Sequence, residues 1–178
     1  MANKTFSKIL GIEPWLQTDD KWRWIGTSCG SNIGVEGCVI TSVAMIFKKF
    51  GDNVDPKILT ERLKSTHSDC PFDWDYASRV YKHPYKGKKS GKFDTFKGEM
   101  LDLIYNKGVP LMVRVPNHTV VISGFVGTLP VYDRDFPDLT QIKANMFLVN
   151  DPGKAKNVTL QDVIDQRGDF EYFNYYEK

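Results

Sequence analysis

The chain has 178 residues, of which 41% are apolar and 26% are charged, and its formal net charge is +2. That length suffices for one domain with a sizeable core, and the ordinary glycine and proline content excludes collagen-like and disordered classes. The charge balance lacks the strong basic excess of an obligate nucleic-acid binder. Because the sequence contains no internal repeat or linker, we expect residues 1–178 to form a single domain.

The first half of the chain is predicted to be helical after a mostly irregular segment, residues 1–37. Apolar residues recur at helical spacing from residue 40 to residue 47, so a helix begins at Cys38 and ends before Gly51. Three further helices are predicted: one from Asp55 with Pro56 at its first position, one over residues 74–81, and one that Thr95 caps and Gly108 ends.

After Gly108 the pattern changes from helical to extended. Four segments are rich in β-branched or aromatic residues and are bounded by Pro, Gly or Asp; they are residues 109–115, 118–125, 145–150 and 170–176. Helices followed by strands are typical of an α+β domain, which is therefore the predicted fold class.

The cysteine count and the N-terminal sequence bear on where the protein is made. Three cysteines cannot form a dense disulfide framework, so reduced thiols are expected. The apolar run at residues 9–12 is shorter than the roughly 7–15 residues of a signal-peptide core, and no run approaches the roughly 20 residues that span a bilayer. We therefore expect cytoplasmic synthesis without a signal peptide and no membrane span, with release by lysis or within a phage particle if the protein acts outside the cell.

Cys38 is the most informative residue for chemistry. A thiol at a helix N-terminus faces unpaired backbone N–H groups and the positive end of the helix dipole, which stabilise the nucleophilic thiolate. Gly37 beside it would let a substrate chain approach the sulfur closely. The alternative interpretation is a small buried core residue, as most lone cysteines are.

A nucleophilic cysteine needs a general base that a third group orients. His118 begins one predicted strand and Asp151 follows another, so adjacent strands could bring the carboxylate to one imidazole nitrogen and leave the other for Cys38. Taken singly, His118 could equally be a polar residue at a strand end, and Asp151 could start the turn before Pro152.

Four segments in order resemble the papain-like cysteine peptidases related to bacteriocin-processing, double-glycine leader peptidases. They are Gln17–Trp22, then Gly37-Cys38 with Thr41–Met45, then Lys107–Leu111 with His118–Phe125, and finally Asn150–Gly153. The resemblance runs across most of residues 14–153. It implies a papain-like fold, in which a helical half carries Cys38 and an antiparallel sheet carries His118 and Asp151.

The resemblance also implies that Gln17 donates to the oxyanion beside the backbone N–H of Cys38. Gln17 lies 21 positions before Cys38, so a long loop must return it to the sulfur, and Asn32 is the competing donor. The segment Thr128–Lys143 between His118 and Asp151 is an addition to the family pattern.

Other groups point less clearly to a site. The cysteines and histidines at Cys29, Cys70, His67 and His83 lack the paired spacing of a zinc site, and the aspartates at 133, 135 and 138 lack the glycine and closing Glu of a calcium loop. A basic loop carries lysines interleaved with Tyr81 and Tyr85; they are Lys82, Lys86, Lys88, Lys89 and Lys92. It is interpreted as a solvated loop, with docking to an anionic polymer as the alternative.

The sequence thus predicts a cysteine hydrolase of peptide or amide bonds that needs no metal or organic cofactor. Cys38 is the predicted nucleophile, His118 the base, Asp151 its orienting group and Gln17 the oxyanion donor. Cell-wall stem peptides, as in a bacterial or phage peptidoglycan hydrolase, or a protein precursor are the candidate substrates. The rivals are a catalytically silent papain-like module that binds a partner protein or anionic polymer, and an acyl transferase that uses the same residues.

Overall fold

An antiparallel six-stranded sheet and six α-helices make up the α+β fold of the computed structural model, which describes residues 1–178. The helices are α1 (Ile33–Glu36), α2 (Cys38–Phe50), α3 (Pro56–Lys64), α4 (Trp74–Tyr81), α5 (Phe93–Leu101) and α6 (Leu160–Arg167). The strands are β1 (Ala2–Ile9), β2 (Lys89–Ser90), β3 (Leu111–Val115), β4 (His118–Val131), β5 (Phe147–Asn150) and β6 (Tyr172–Asn174).

Strand β4 organises the sheet because three other strands pair with it. The main order is β1-β4-β3-β6-β2, and β5 pairs with β4 beside that path. The first part of β4 pairs with β3 through a tight turn, with His118 opposite Val115. On its other side, Asn150 at the end of β5 lies opposite Val121. The residue that follows β5 therefore reaches the beginning of β4.

Helix α2 is the most deeply buried helix, and it packs against β4. Nine of the ten residues from Cys38 to Phe47 are buried, Val39 being the exception, which suits a helix enclosed on nearly all sides. Gly51 ends it in the left-handed conformation, with φ 105°, and Lys48 and Lys49 occupy its last turn. A continuous core of 38 buried residues joins this helix to the sheet.

Several predicted elements are confirmed. Helix α2 has the predicted bounds, Asp55 caps α3 with Pro56 following, and α4 covers residues 74–81. Helix α5 begins two residues before Thr95, and it continues through a π-helical turn (Asp102–Asn106) that stops before Gly108. Strand β4 is longer than predicted, since it continues to Val131 to pair with β1.

Two elements contradict the sequence-based expectations. Residues 1–37 are not mostly irregular at their beginning, because β1 occupies Ala2–Ile9 and pairs with Gly124–Val131. Phe6 is its only buried side chain, so it lacks the apolar alternation that identifies a strand. Helix α6 was absent from the predicted elements, although Thr159 and Asp162 form a capping box at its start.

The expectation of reduced thiols is wrong for two of the three cysteines. Cys29 and Cys70 form a disulfide, with Cα atoms 5.4 Å apart, and only Cys38 remains free. The two cysteines lie 41 positions apart, in the segment before α1 and the segment before α4, which sequence patterns do not place together. No helix combines the length and the apolar character needed to cross a membrane.

Candidate active site

The free thiol of Cys38 lies at the N-terminus of α2. Cys38 is 9% exposed. The residue before it, Gly37, is the N-cap of the helix and has no side chain that could accept from the first N–H groups. A Cβ atom on Gly37 would lie 2.5 Å from the carbonyl oxygen of Ile33, so only glycine fits between α1 and α2. Cys38 therefore lies at the positive end of the dipole of the 13-residue helix.

His118 and Asp151 form a buried pair beside that helix. The Nε2 atom of His118 lies 2.6 Å from Oδ1 of Asp151, and their side chains are 3% and 0% exposed. Because Nε2 faces the carboxylate, Nδ1 is the imidazole nitrogen left for the thiol of Cys38, and interaction with Cys38 helps to raise the pKa of His118.

Asp151 is itself held by two donors. Its Oδ1 accepts the N–H of Gly153 at 2.8 Å, and its Oδ2 accepts Nδ2 of Asn157 at 2.8 Å. Asn157 also donates to Oε1 of Gln166 on α6 at 2.7 Å. The carboxylate therefore has a fixed orientation, which in turn fixes the imidazole ring.

The electrostatics of the three groups favour a charge-separated pair. Burial raises the pKa of the Cys38 thiol, but the hydrogen bond and charge of His118 and the backbone N–H of Thr119 outweigh it, so the pKa is lowered. Burial lowers the pKa of His118, but its hydrogen bonds to Asp151 and Cys38 raise it above its usual value. Burial raises the pKa of Asp151, but hydrogen bonds from His118 and Asn157 hold it below its usual value. Both shifts act in the direction of a thiolate beside an imidazolium.

Gln17 reaches the same site from the N-terminal loop. It is 7% exposed and borders the cavity that contains Cys38 and His118. Its backbone N–H donates to the carbonyl of Pro152 at 2.8 Å, which ties this loop to the segment after Asp151. Its Nε2 donates to the carbonyl of Gly34 at 3.2 Å, so one of its two amide hydrogens is free for another acceptor.

Asn32, the competing donor, has a different position. It caps α1, where its Oδ1 accepts the N–H of Val35 at 3.0 Å, and it does not border the cavity. The structure thus brings together Cys38, His118, Asp151 and Gln17 and leaves Asn32 outside.

The cavity has a volume of about 520 Å³ and opens in front of Cys38. Two arginines that sequence reasoning missed border it, Arg114 and Arg167. Nη1 of Arg114 lies 3.9 Å from Sγ of Cys38 and 3.1 Å from Oγ1 of Thr119. A charged residue inside the otherwise apolar strand β3 was the available signal for Arg114.

The cavity lining also contains two acidic side chains and one cysteine of the disulfide. Asp69 accepts hydrogen bonds from the backbone N–H of Ser28 at 2.9 Å and from its hydroxyl at 2.5 Å. Glu36 accepts the hydroxyl of Thr27 and the backbone N–H of Ser31. The hydrogen bonds and the Cys29–Cys70 bond, whose Cys70 borders the cavity, fix this wall.

The remaining sequence candidates lie elsewhere. His83 pairs with Asp52 at 2.5 Å, and Nδ1 of His67 lies 3.4 Å from the hydroxyl of Ser28. Neither histidine joins the potential metal-ligand group, which is Cys29, Glu36 and Cys70, and the two cysteines of that group are bonded to each other. The sulfurs therefore offer no thiolate to a metal in this state.

The basic loop is partly neutralised. Lys86 pairs with Glu177 at 3.0 Å and Lys89 with Glu99 at 2.7 Å. Lys88 lies over the ring of Tyr172. These contacts suit the interpretation as a solvated loop.

In comparisons with known proteins, no protein-family model, curated protein or solved structure matches the chain.

Proposed function

We propose that the protein is a cysteine-dependent hydrolase of peptide or amide bonds with a papain-like arrangement. The observation that carries the proposal is the meeting of Cys38, His118 and Asp151, with a 2.6 Å hydrogen bond between the imidazole and the carboxylate. A nucleophile, a base and an orienting group in that relation are the parts that acyl transfer requires.

The reaction would begin with the thiolate of Cys38. Its sulfur attacks the scissile carbonyl, and the C=O electron pair moves onto oxygen. The second amide hydrogen of Gln17 and the backbone N–H of Cys38 would donate to that oxyanion, as electrostatic stabilisation of acyl transfer demands. Nδ1 of the His118 imidazolium then protonates the leaving amine as the C–N bond breaks, which leaves a thioester.

A second half-reaction would release the acyl group. Neutral His118 takes a proton from water at Nδ1, the resulting hydroxide attacks the thioester, and the sulfur departs as thiolate with the imidazolium restored. Asp151 accepts a hydrogen bond from Nε2–H throughout, which holds the ring in place and stabilises its charge. Stem peptides of the cell wall and protein precursors remain the proposed substrates.

The proposal is tested by the reactivity of the single free thiol. The rate of iodoacetamide alkylation near neutral pH is measured by mass spectrometry and compared with that of glutathione. We expect Cys38 to react faster than glutathione, because a thiolate is the reactive form. His118→Ala is the matched variant, since it removes the group that lowers the pKa of Cys38, and its rate should fall to that of an ordinary thiol.

Hydrolysis is measured alongside, on purified peptidoglycan and on an unfolded protein. Cys38→Ala should abolish any cleavage while leaving the thermal unfolding midpoint nearly unchanged. Alkylation of the unaltered protein no faster than that of glutathione would contradict the proposal and favour the silent binding module. Cleavage that persists in Cys38→Ala would place the nucleophile elsewhere.

A further inference from the structure

Two guanidinium groups border the cavity that contains Cys38 and His118. Arg114 lies beside the sulfur, as described above. Arg167 is the last residue of α6, and its Nη2 lies 3.3 Å from the point that a Cβ on Gly153 would occupy. The same point is 3.2 Å from Nε2 of His118, so Arg167 reaches the imidazole side of the cavity.

Arg167 has unused hydrogen-bonding capacity. Its Nε is buried and has no acceptor, and neither Arg167 nor Arg114 takes part in an ion pair. A charged donor withdrawn from water without an acceptor is unfavourable, and a guanidinium binds a carboxylate through two parallel hydrogen bonds. An anionic ligand in the cavity would supply the missing acceptors.

The acidic residues of the cavity do not supply them. Asp69 and Glu36 accept hydrogen bonds from the residues of their own wall, which the Cys29–Cys70 bond fixes. Neither arginine therefore has an acidic partner among the residues that line the cavity. A bound peptide would have its negative groups toward Arg167.

We propose that Arg167, together with Arg114, binds a carboxylate of the substrate beside the scissile carbonyl. This inference rests on the proposed function and narrows its substrate class to peptides that carry a free carboxylate next to the bond that is cut. Arg114 acts from the side of the sulfur and Arg167 from the side of the imidazole, so the carboxylate lies between the two guanidinium groups.

The test uses two alkylating agents that differ in charge, iodoacetate and iodoacetamide. The ratio of their rate constants at Cys38 is measured and divided by the same ratio for glutathione in the same buffer. We expect this normalised ratio to exceed one, because the carboxylate of iodoacetate is attracted to the arginines. Arg167→Gln should lower it roughly tenfold, as loss of a bidentate charge pair implies.

Arg62→Gln is the matched control. Arg62 is exposed on α3 and lies outside the cavity, and its substitution changes the net charge by the same amount as Arg167→Gln. Arg62→Gln should leave the ratio unchanged. Arg167→Lys should retain only part of the effect, because the charge remains but the two parallel hydrogen bonds do not. The unaltered protein gives a test without substitution: added salt should bring the normalised ratio toward one.

The possible results separate the two proposals. Rapid iodoacetamide alkylation with a normalised ratio near one, unaffected by Arg167→Gln and by salt, would overturn the carboxylate site and leave the cysteine hydrolase standing. Slow alkylation by both reagents would contradict the hydrolase itself.

Discussion

Proton exchange between Cys38 and His118 determines how the site should respond to pH. The pKa of Cys38 is lowered and the pKa of His118 is raised, and both shifts widen the pH range in which a thiolate and an imidazolium coexist. Below that range the sulfur binds a proton and loses its nucleophilicity. Above it the imidazole loses the proton that the leaving amine needs.

We therefore predict a bell-shaped pH dependence of kcat/KM, measured on whichever of peptidoglycan and unfolded protein is cleaved. Asp151→Ala should move the alkaline limb to lower pH, because its hydrogen bond raises the pKa of His118. Asp151→Asn should be milder, since an amide oxygen can still accept from Nε2–H. An alkaline limb unchanged in Asp151→Ala would contradict the assigned pair.

Alanine substitutions at Gln17 and Asn32 should have different effects: the first on turnover and the second on stability. Gln17→Ala removes the proposed oxyanion donor, and the loss of such a donor typically costs about 10²–10³ in turnover. Alkylation of Cys38 should change much less, because that reaction develops no oxyanion. Turnover and alkylation rates measured on the same preparation provide the comparison.

Asn32→Ala is the matched amide variant. It removes the cap of α1, so we expect a loss of about 1 kcal/mol in the free energy of unfolding with turnover largely retained. A selective loss of turnover in Asn32→Ala, and none in Gln17→Ala, would assign the oxyanion donor to Asn32.

At the scale of elements, the capping box of α6 connects helix stability to the site. Oγ1 of Thr159 accepts the N–H of Asp162 at 3.3 Å, and Oδ2 of Asp162 accepts the N–H groups of Val158 and Thr159. Helix α6 ends at Arg167, which borders the cavity. The residue before it, Gln166, accepts a hydrogen bond from Asn157. A weaker α6 should therefore loosen groups around Asp151.

We predict that Thr159→Ala lowers the free energy of unfolding by about 1 kcal/mol, as loss of a threonine cap does. Thr95→Ala is the control, because Thr95 is exposed inside α5 and caps nothing there. Urea unfolding followed by circular dichroism measures both. Equal losses in the two variants would mean that the capping box does not stabilise α6.

Elements with strong local signals could be predicted from the sequence, and elements that depend on distant partners could not. Helix α2 has apolar periodicity, a basic last turn and a terminal Gly51, so its bounds follow from local chemistry. Strand β1 buries only Phe6 and forms because the distal part of β4 offers hydrogen bonds. Such a strand leaves no periodic pattern to detect.

The same distinction applies to the site. Four segments that resemble one peptidase family predicted that Gln17, Cys38, His118 and Asp151 lie close together in the fold. Arg114 and Arg167 belong to a strand and a helix that pack side by side only in the folded chain. Their common cavity could not be read from spacing.

At the scale of the whole molecule, the Cys29–Cys70 bond closes a loop that spans α1, α2 and α3. In the chain-entropy account, closing a loop of 41 positions stabilises the fold by about 3–4 kcal/mol. We predict that the double variant Cys29→Ser with Cys70→Ser lowers the thermal midpoint by roughly 6–16 °C, since each kcal/mol corresponds to about 2–4 °C at this size.

Iodoacetamide labelling of the double variant under native conditions provides a separate readout. Cys38 should still react rapidly, because neither sulfur of the disulfide belongs to the His118–Asp151 pair. An unchanged thermal midpoint would contradict the stabilising role of the bond. A thiol reductant in the buffer should reproduce the shift in the unaltered protein.

Strand β1 also affects how one molecule meets another. It lies at the end of the sheet, so one of its sides presents backbone N–H and C=O groups that no strand covers. Such an edge can recruit a strand from a second chain and begin aggregation. Lys4 and Lys8 put positive charge along it, and bringing two copies edge to edge would crowd these ammonium groups. The charges on this eight-residue strand thus oppose edge-to-edge association at high protein concentration, and apolar residues in their place would promote it.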